Sequence, residues 1–169
     1  IIKLAMSNVY QNIKANTNFI PPTNWLQIKT IDMHTGGEAL RVIIDGFPVL
    51  KGSSVLEYRR YCREHYDDLR MSLMFEPRGH ADMYGCLLLP PNDEEADFGI
   101  IFLHNDGYST MCGHAIIAIS TLAVNMRWIS PQEGDNVLKI DTPCGRISSY
   151  VHVKNGIVQY VRFHCVPSY

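Results

Sequence analysis

The chain has 169 residues, of which 46% are hydrophobic, enough to bury one sizeable core or two small ones. A formal net charge of −2 and an isoelectric point near 6.4 argue against nucleic acid or anionic membranes as partners, and leave small-molecule chemistry as the default. The five cysteines are odd in number and form no C-x-x-C pair, which argues against a disulfide framework or zinc module and for a cytoplasmic, reducing setting.

The N-terminal segment, residues 1–24, is polar, rich in asparagine and interrupted by two prolines. We therefore expect a loosely ordered arm, followed by a folded unit over residues 25–169. No apolar run is long enough to span a membrane, and the first residues lack the pattern of a signal peptide, so a soluble chain that is not secreted is expected. Met6 remains open as the natural start of a chain that begins at Ile1.

Alternating apolar and polar residues predict two short strands on either side of residues 34–37. The two glycines of this turn indicate either a special backbone conformation or a close approach of backbone to a substrate. A capping box at Ser54 and Glu57, followed by apolar residues at steps of three and four up to Leu73, predicts one amphipathic surface helix. Cys62 is expected on its buried side.

Five further strands follow from the pattern. Residues 83–89 and 98–103 do not alternate, so both faces of these strands are expected to be covered. Residues 133–135 interrupt the apolar pattern, and a strand is then predicted at residues 137–140. The last two strands form a hairpin around Asn155-Gly156, the strongest short hairpin signal in the chain.

The central feature is a polar turn at residues 105–114 that leads directly into residues 115–124, which are apolar on every side. Such a helix belongs in the middle of a domain, and it is expected to end near Trp128. Cys112 then lies at a buried helix N-terminus, where free backbone N–H groups and the helix dipole favour a thiolate and can hold a carboxylate. The alternative is that Cys112 is a small buried hydrophobe without chemistry.

A thiolate beside a carboxylate site suits the removal of an amino acid's α-proton, because backbone donors on the carboxylate stabilise the negative charge that develops. In this hypothesis Cys112 is the base, and the N–H groups of Gly113 and His114 bind the carboxylate. No cofactor is expected, because a thiolate needs neither a metal nor pyridoxal phosphate for this step. Cys112 and His114 have a metal-like spacing, but one pair cannot complete a tetrahedral site, so no metal is expected.

The sequence MCGHA at residues 111–115 resembles the first catalytic motif of the proline racemase family, which includes proline racemases, hydroxyproline epimerases and trans-3-hydroxy-L-proline dehydratases. Three further stretches agree in the right order, at residues 32–38, 74–85 and 161–167. The resemblance implies an α+β fold in which a curved mixed sheet wraps a central apolar helix. It also implies that the chain is one lobe of a two-lobe, diaminopimelate-epimerase-like fold whose second lobe is absent.

The resemblance further implies that Tyr84 lines the substrate pocket, with a tyrosine of the core as the alternative. Racemisation needs a second acid–base group on the opposite face of the α-carbon. The resemblance implies that this group is a cysteine of the absent second lobe in racemases and epimerases, and a threonine in dehydratases. Cys144 imitates the Pro-Cys-Gly context of that cysteine, but lies at a turn without a catalytic role in the family, so we interpret it as structural.

Several stretches resemble the animal dehydratases, notably residues 103–108 and 161–164. The expected function is thus a cofactor-independent hydro-lyase that converts trans-3-hydroxy-L-proline to a pyrroline-2-carboxylate. The alternatives are a proline racemase or hydroxyproline epimerase, and, in another class, a truncated lobe that binds an amino acid without turnover. The oligomeric state stays open, with a homodimer as one option.

Overall fold

The computed structural model describes residues 8–166, and its framework is one seven-stranded sheet in which the strands follow chain order. Strands β2 and β3 are parallel, as are β4 and β5, and the other neighbours are antiparallel. The strands are β1 Lys29–Thr35, β2 Glu38–Asp45, β3 Tyr84–Leu89, β4 Phe98–His104, β5 Gly134–Thr142, β6 Gly145–Lys154 and β7 Ile157–His164. All predicted strands are present. The sheet contains both parallel and antiparallel pairs and is therefore mixed, as expected.

Strand β5 begins earlier than predicted. Residues 134 and 135 were expected to break the pattern, yet Gly134 pairs with Val153 and the ladder continues to Thr142 opposite Gly145. The partner strand β6 therefore extends β5 through residues whose own pattern is not that of a strand, because cross-strand pairing outweighs local propensity.

The central helix α4, Gly113–Asn125, is apolar around its circumference and lies against the sheet. It contacts β1 and β2 near one edge of the sheet and β6 and β7 near the other, so the sheet must curve around the helix. Together they enclose an inner cluster of fully buried residues that includes Leu40, Phe102 and Ile119. The expected α+β fold with a sheet wrapped around an apolar helix is confirmed.

The end of α4 is a Schellman motif, slightly before the predicted end near Trp128. Trp128 N–H donates to the carbonyl oxygen of Ala123 (2.9 Å), and Arg127 N–H donates to Val124 (3.1 Å). Arg127 takes the left-handed conformation (φ 56°) that glycine usually supplies at this position. The absence of a glycine explains why the sequence pattern placed the end too late.

Helices α2, Val55–His65, and α3, Asp67–Met74, cover the outer face of the sheet. The sequence predicted one helix, which was wrong, because Tyr66 leaves the helical conformation (φ −137°, ψ 27°) and separates the two. Ser54 caps α2 as predicted by accepting a hydrogen bond from Glu57 N–H, although the Glu57 carboxylate reaches back to Ser53. Cys62 is buried, as expected.

Two strand glycines allow these helices to approach the sheet closely. A Cβ on Gly99 would lie 2.7 Å from a methyl group of Val55, and one on Gly85 would lie 2.7 Å from the Met74 methyl. Both are distances that real Cβ atoms do not show, so a neighbour must move. At Gly85 the end of the Met74 side chain would have to shift, whereas at Gly99 the Cβ would also lie 2.7 Å from the backbone carbonyl oxygen of Pro90.

A short helix α1, Asn8–Ala15, precedes the sheet and buries none of its residues. The candidate start Met6 and the last residue of the closing motif, Pro167, lie outside the described residues. The boundary between an arm and a folded unit at residue 24 therefore stays a prediction. Within residues 8–166, no helix is both long and apolar enough to cross a membrane.

Candidate active site

The candidate active site is built around the residue that immediately precedes the central helix. Cys112 is the N-cap of α4, with an extended backbone (φ −148°, ψ 105°), and its carbonyl oxygen accepts the first helical hydrogen bond, from Ile116 N–H (3.2 Å). Most N-caps are Ser, Thr, Asp or Asn, whose side-chain oxygen satisfies the first amides. The Cys112 side chain makes no such bond and is only 6% exposed. No side-chain hydrogen bond therefore caps the first turn, although the amides of Ala115 and His114 lie close enough to the sulphur to act on its pKa.

Two opposing effects act on the Cys112 thiol. Burial raises its pKa to about 11, and the charge of Glu38 acts in the same direction. The backbone amides of Ala115 and His114 lower the pKa, as expected at a helix start, although burial dominates. The expectation that the helix start favours a thiolate is thus met by only one of the two effects, and the uncharged thiol predominates at neutral pH.

The His114 imidazole lies beside the Cys112 thiol. Its Nδ1 lies 3.2 Å from the Cys112 Sγ, and its Nε2 lies 3.7 Å away. A neutral imidazole nitrogen at this distance can accept a hydrogen bond from the thiol. From the sequence we predicted only a backbone role for His114. Its side-chain contact with Cys112 was not predicted, because the direction of a side chain at a helix start depends on what packs around it.

Tyr84 lies beside this pair. Its ring meets the His114 ring edge-on at 5.0 Å and stacks on the His104 ring at 5.4 Å. Tyr84 and His104 are directly paired across β3 and β4, so both side chains point to the inner face of the sheet. Burial raises the pKa of Tyr84, which keeps the phenol uncharged at neutral pH. Cys112, His114 and Tyr84 are therefore brought together, whereas their roles stay predictions.

The predicted hairpin between β1 and β2 fixes the other side of the helix start. Gly36 and Gly37 both take positive φ values (60° and 98°), the conformation of a tight two-residue hairpin turn. The Thr35 hydroxyl donates to the carbonyl oxygen of His114 at 2.9 Å and so ties the hairpin to α4. The turn alternative for the two glycines fits the structure, and Thr35 was not identified from the sequence.

Gly113 packs against the last strand. A Cβ on this residue would lie 3.3 Å from the ring of Phe163 in β7, so a larger side chain would press on that ring. Neither Phe163 nor His104 was predicted as part of the site. Their positions follow from the strand register, which single-sequence patterns do not provide.

A cavity of about 600 Å³ opens next to Tyr84, at the ends of β3 and β4. Its walls include His80, Asp82, His104 and Asp106. Tyr84 lines this cavity, but Cys112 and His114 do not, so the cavity lies beside the helix start without enclosing it. Among residues 8–166, no group of three or more His, Cys, Asp or Glu side chains is arranged to hold a metal ion.

Cys144 occupies a different environment, in the tight turn between β5 and β6. The Thr142 hydroxyl donates to the carbonyl oxygen of Gly145 at 2.7 Å, so its oxygen is left to accept from the Cys144 thiol at 3.1 Å. This arrangement uses the thiol as a hydrogen-bond donor within the turn. The interpretation of Cys144 as structural stays a prediction.

Comparisons with known proteins show the family of the chain. The family model described as proline racemase matches residues 30–169. The chain is 48% identical over 151 residues to a trans-L-3-hydroxyproline dehydratase of Xenopus tropicalis, covering 89% of this chain and 43% of that protein. It is 46% identical over 142 residues to a 3-hydroxyproline 2-epimerase of Burkholderia multivorans, covering 84% of this chain and 42% of the relative.

Among solved structures, a hydroxyproline epimerase from Agrobacterium vitis with bound trans-4-hydroxy-L-proline superimposes with a TM-score of 0.78 at 28% identity. The match covers 83% of this chain and 42% of that one. The chain thus has the fold expected from the resemblance, and spans less than half the length of the proteins that it matches.

Proposed function

The chain belongs to the proline racemase family, and from this premise we propose that it forms the Cys112-bearing lobe of an enzyme that dehydrates trans-3-hydroxy-L-proline. In this proposal residues 25–169 make up the lobe and residues 1–24 an arm. The observation that carries the proposal is the uncapped, buried start of α4, where the Cys112 thiol lies 3.2 Å from the His114 imidazole. The free cysteines support a cytoplasmic enzyme that acts on a small molecule.

The substrate carboxylate binds at the helix start, on the amides of Gly113 and His114, with the ring against Tyr84. His114 takes the thiol proton, and the resulting Cys112 thiolate removes the α-proton of the substrate. The electron pair of that C–H bond forms the double bond between C2 and C3 as the C3–O bond breaks. Amide donors at the helix start offset the charge that develops on the carboxylate.

The stereochemistry of the substrate makes one cysteine sufficient. In trans-3-hydroxy-L-proline the hydroxyl lies opposite the carboxylate, and therefore on the same ring face as the α-proton. Cys112 can return the proton that it has taken to the departing hydroxyl, which leaves as water. The enamine product tautomerises to a pyrroline-2-carboxylate, and no proton is gained or lost overall. Racemisation, in contrast, requires a second acid on the opposite face.

A proline racemase or hydroxyproline epimerase is the second candidate, because the Burkholderia multivorans relative is an epimerase at nearly the same identity as the dehydratase. The third is a lobe that binds an amino acid without turnover. The length of the native transcript bears on that candidate, since a reading frame that continues into a second lobe favours an enzyme.

The decisive experiment incubates the full-length protein in D₂O with trans-3-hydroxy-L-proline and, separately, with L-proline, followed by proton NMR. A dehydratase produces a pyrroline-2-carboxylate from the first substrate. The control substrate is cis-3-hydroxy-L-proline, whose hydroxyl lies on the opposite ring face from the α-proton. It should react much more slowly. Deuterium at the α-carbon without elimination would indicate a racemase or epimerase, and no change in either substrate would favour the binding lobe.

A further inference from the structure

Arg70 of α3 binds the backbone of the turn that leads to Cys112. One terminal nitrogen of its guanidinium donates to the carbonyl oxygens of His104 (2.8 Å) and Asn105 (2.5 Å), where β4 ends and the turn begins. The other two nitrogens donate to the two carboxylate oxygens of Asp67, at 2.6 Å and 2.8 Å. Asp67 therefore fixes the direction of the guanidinium, and the guanidinium holds the turn.

A buried arginine at this position needs a reason beyond stability. The Arg70 side chain is only 7% exposed, and removing a charged group from water costs free energy even where the charge is paired. An apolar side chain of similar size avoids that cost, and such replacements are often neutral or stabilising. An arginine, however, can bind a carboxylate with two nitrogens and still donate to two carbonyl groups with the third. What Arg70 adds over an apolar residue is therefore the placement of the turn.

A second arginine holds the far side of the same turn. Arg59 of α2 donates to the carbonyl oxygen of Tyr108 at 2.5 Å. The Arg70 guanidinium lies over the Tyr108 ring, 5.7 Å from its centroid. The turn at residues 104–108 is thus attached to both outer helices, and four residues later the chain reaches Cys112.

The same turn also carries a side chain of the candidate site. The carbonyl oxygen of His104 is bound by Arg70, whereas the His104 ring stacks on the Tyr84 ring at 5.4 Å. The Tyr84 ring meets the His114 ring at 5.0 Å, and Nδ1 of His114 lies 3.2 Å from the Cys112 sulphur. A displacement of the His104 backbone is therefore transmitted through two ring contacts to the residue beside the thiol.

We propose that Arg70 is a positioning residue, which through the backbone of residues 104–105 holds the stacked rings against His114 and the approach to Cys112 in one conformation. The inference rests on the proposed function and adds to it a residue that does not touch the thiol. The alternative is that Arg70 only fastens α3 to the sheet. In that case its loss lowers the stability of the fold and leaves the reactivity of the folded site unchanged.

The first measurement is turnover in the full-length protein. Arg70→Met removes the donors and keeps a long apolar side chain. We expect kcat for trans-3-hydroxy-L-proline to fall about tenfold or more in the folded variant, because small displacements of catalytic groups have effects of this size. Arg70→Lys keeps the charge beside Asp67 but has a single donor nitrogen, so kcat should fall there too, by a smaller factor. It replaces Arg70→Met in every comparison if that variant does not fold.

The second measurement does not depend on turnover. It follows the alkylation of the free protein by iodoacetamide with mass spectrometry. A looser turn admits water to the Cys112 sulphur and weakens the desolvation that raises its pKa. Each unit by which this pKa falls increases the thiolate fraction about tenfold, so Cys112 of Arg70→Met should react about tenfold faster at a fixed pH. Cys86, fully buried in the same inner cluster, should stay unreactive.

Arg146→Met is the matched control. Arg146 also binds carboxylates, but those of Asp93, Glu95 and Asp141, at the turn between β5 and β6. This variant loses ion pairs without losing a contact to residues 104–108. It should therefore leave kcat and the alkylation of Cys112 at their wild-type values, even where it lowers the melting temperature.

Three results would overturn the inference. They are a wild-type kcat or a wild-type rate of Cys112 alkylation in folded Arg70→Met, equal acceleration at Cys86 and Cys112, and the same changes in Arg146→Met. Should the wild-type protein turn over neither hydroxyproline nor proline, the proposed function fails. The alkylation rates then decide the inference by themselves, and a selective increase at Cys112 supports it.

Discussion

The chain contains the pattern Thr-x-Cys-Gly twice, at residues 110–113 and 142–145, and the two copies have different surroundings. The first precedes a helix of 13 residues, so Cys112 meets amides that its own side chain does not cap, and an imidazole 3.2 Å away. The second forms the turn between two antiparallel strands, and Cys144 meets the hydroxyl of Thr142 at 3.1 Å.

This difference shows that the secondary-structure element after a cysteine determines which groups surround its thiol. A helix start concentrates unpaired donors at one point, which can stabilise an anion on the sulphur or on a ligand. A hairpin turn uses its backbone groups in the sheet ladder, as the pairing of Thr142 with Gly145 illustrates. The same four-residue pattern is therefore suited to chemistry at residues 110–113 and to turn formation at residues 142–145.

The largest effect that separates the two cysteines is expected on turnover. Cys112→Ser in the full-length protein should lower kcat for trans-3-hydroxy-L-proline by about 10³-fold or more, because a serine hydroxyl is a far weaker base near neutral pH. The fold should remain, since serine is close to cysteine in size, and circular dichroism with a thermal melt checks this. Turnover near the wild-type rate in a folded Cys112→Ser protein would exclude Cys112 as the base.

The second prediction concerns the reactivity of the Cys112 thiol. Because burial raises its pKa to about 11, the thiolate fraction at pH 8 is roughly a hundredfold smaller than for an ordinary thiol. Its alkylation by iodoacetamide, followed by mass spectrometry of the Cys112 peptide in the free full-length protein, should keep accelerating between pH 9 and 11. The exposed Cys165 in the same sample is the internal control and should react first. A rate at Cys112 that levels off below pH 8 would contradict this.

A third prediction concerns the contact that joins the two regions. The hydroxyls of Ser120 in α4 and Ser149 in β6 are fully buried and lie 2.8 Å apart, so they connect the helix that follows Cys112 to the strand that follows Cys144. Either single alanine variant leaves a buried hydroxyl unpaired and should lower the free energy of unfolding by about 1–3 kcal/mol.

The Ser120→Ala/Ser149→Ala double variant should lose less than the sum of the two single losses, because it leaves no unpaired group. Urea unfolding of all four proteins completes the double-mutant cycle. Strictly additive losses would show that the two hydroxyls do not interact.

The smallest effect is expected at the second copy of the pattern. Cys144→Ser should leave kcat within about twofold and change the free energy of unfolding by less than about 0.5 kcal/mol, because a serine hydroxyl can donate to Thr142 as the thiol does. The NMR assay and a urea titration measure both quantities. Loss of activity in a folded Cys144→Ser protein would mean that the roles of the two cysteines are reversed.

The strands and the buried helix could be predicted because each has a strong local pattern, such as the all-apolar run after His114. Errors occurred where a non-local partner decides the outcome. Strand β6 extends β5 back to Gly134, and Tyr66 divides the outer helix in two. The site was found only in part, since the Cys112 motif lies in one stretch, whereas Thr35 and Phe163 reach it from opposite edges of the sheet.

The sequence by itself determined that a cysteine begins a buried helix, because hydrophobic periodicity and turn residues act over a few neighbouring positions. Only the tertiary structure determined how far burial and nearby charges shift the pKa of its thiol. Burial by the surrounding sheet raises the pKa that the helix amides lower, and the charge of Glu38 reaches the sulphur from another strand. Desolvation and long-range charge depend on everything packed around a group, so they cannot be read from the residues beside it in the chain.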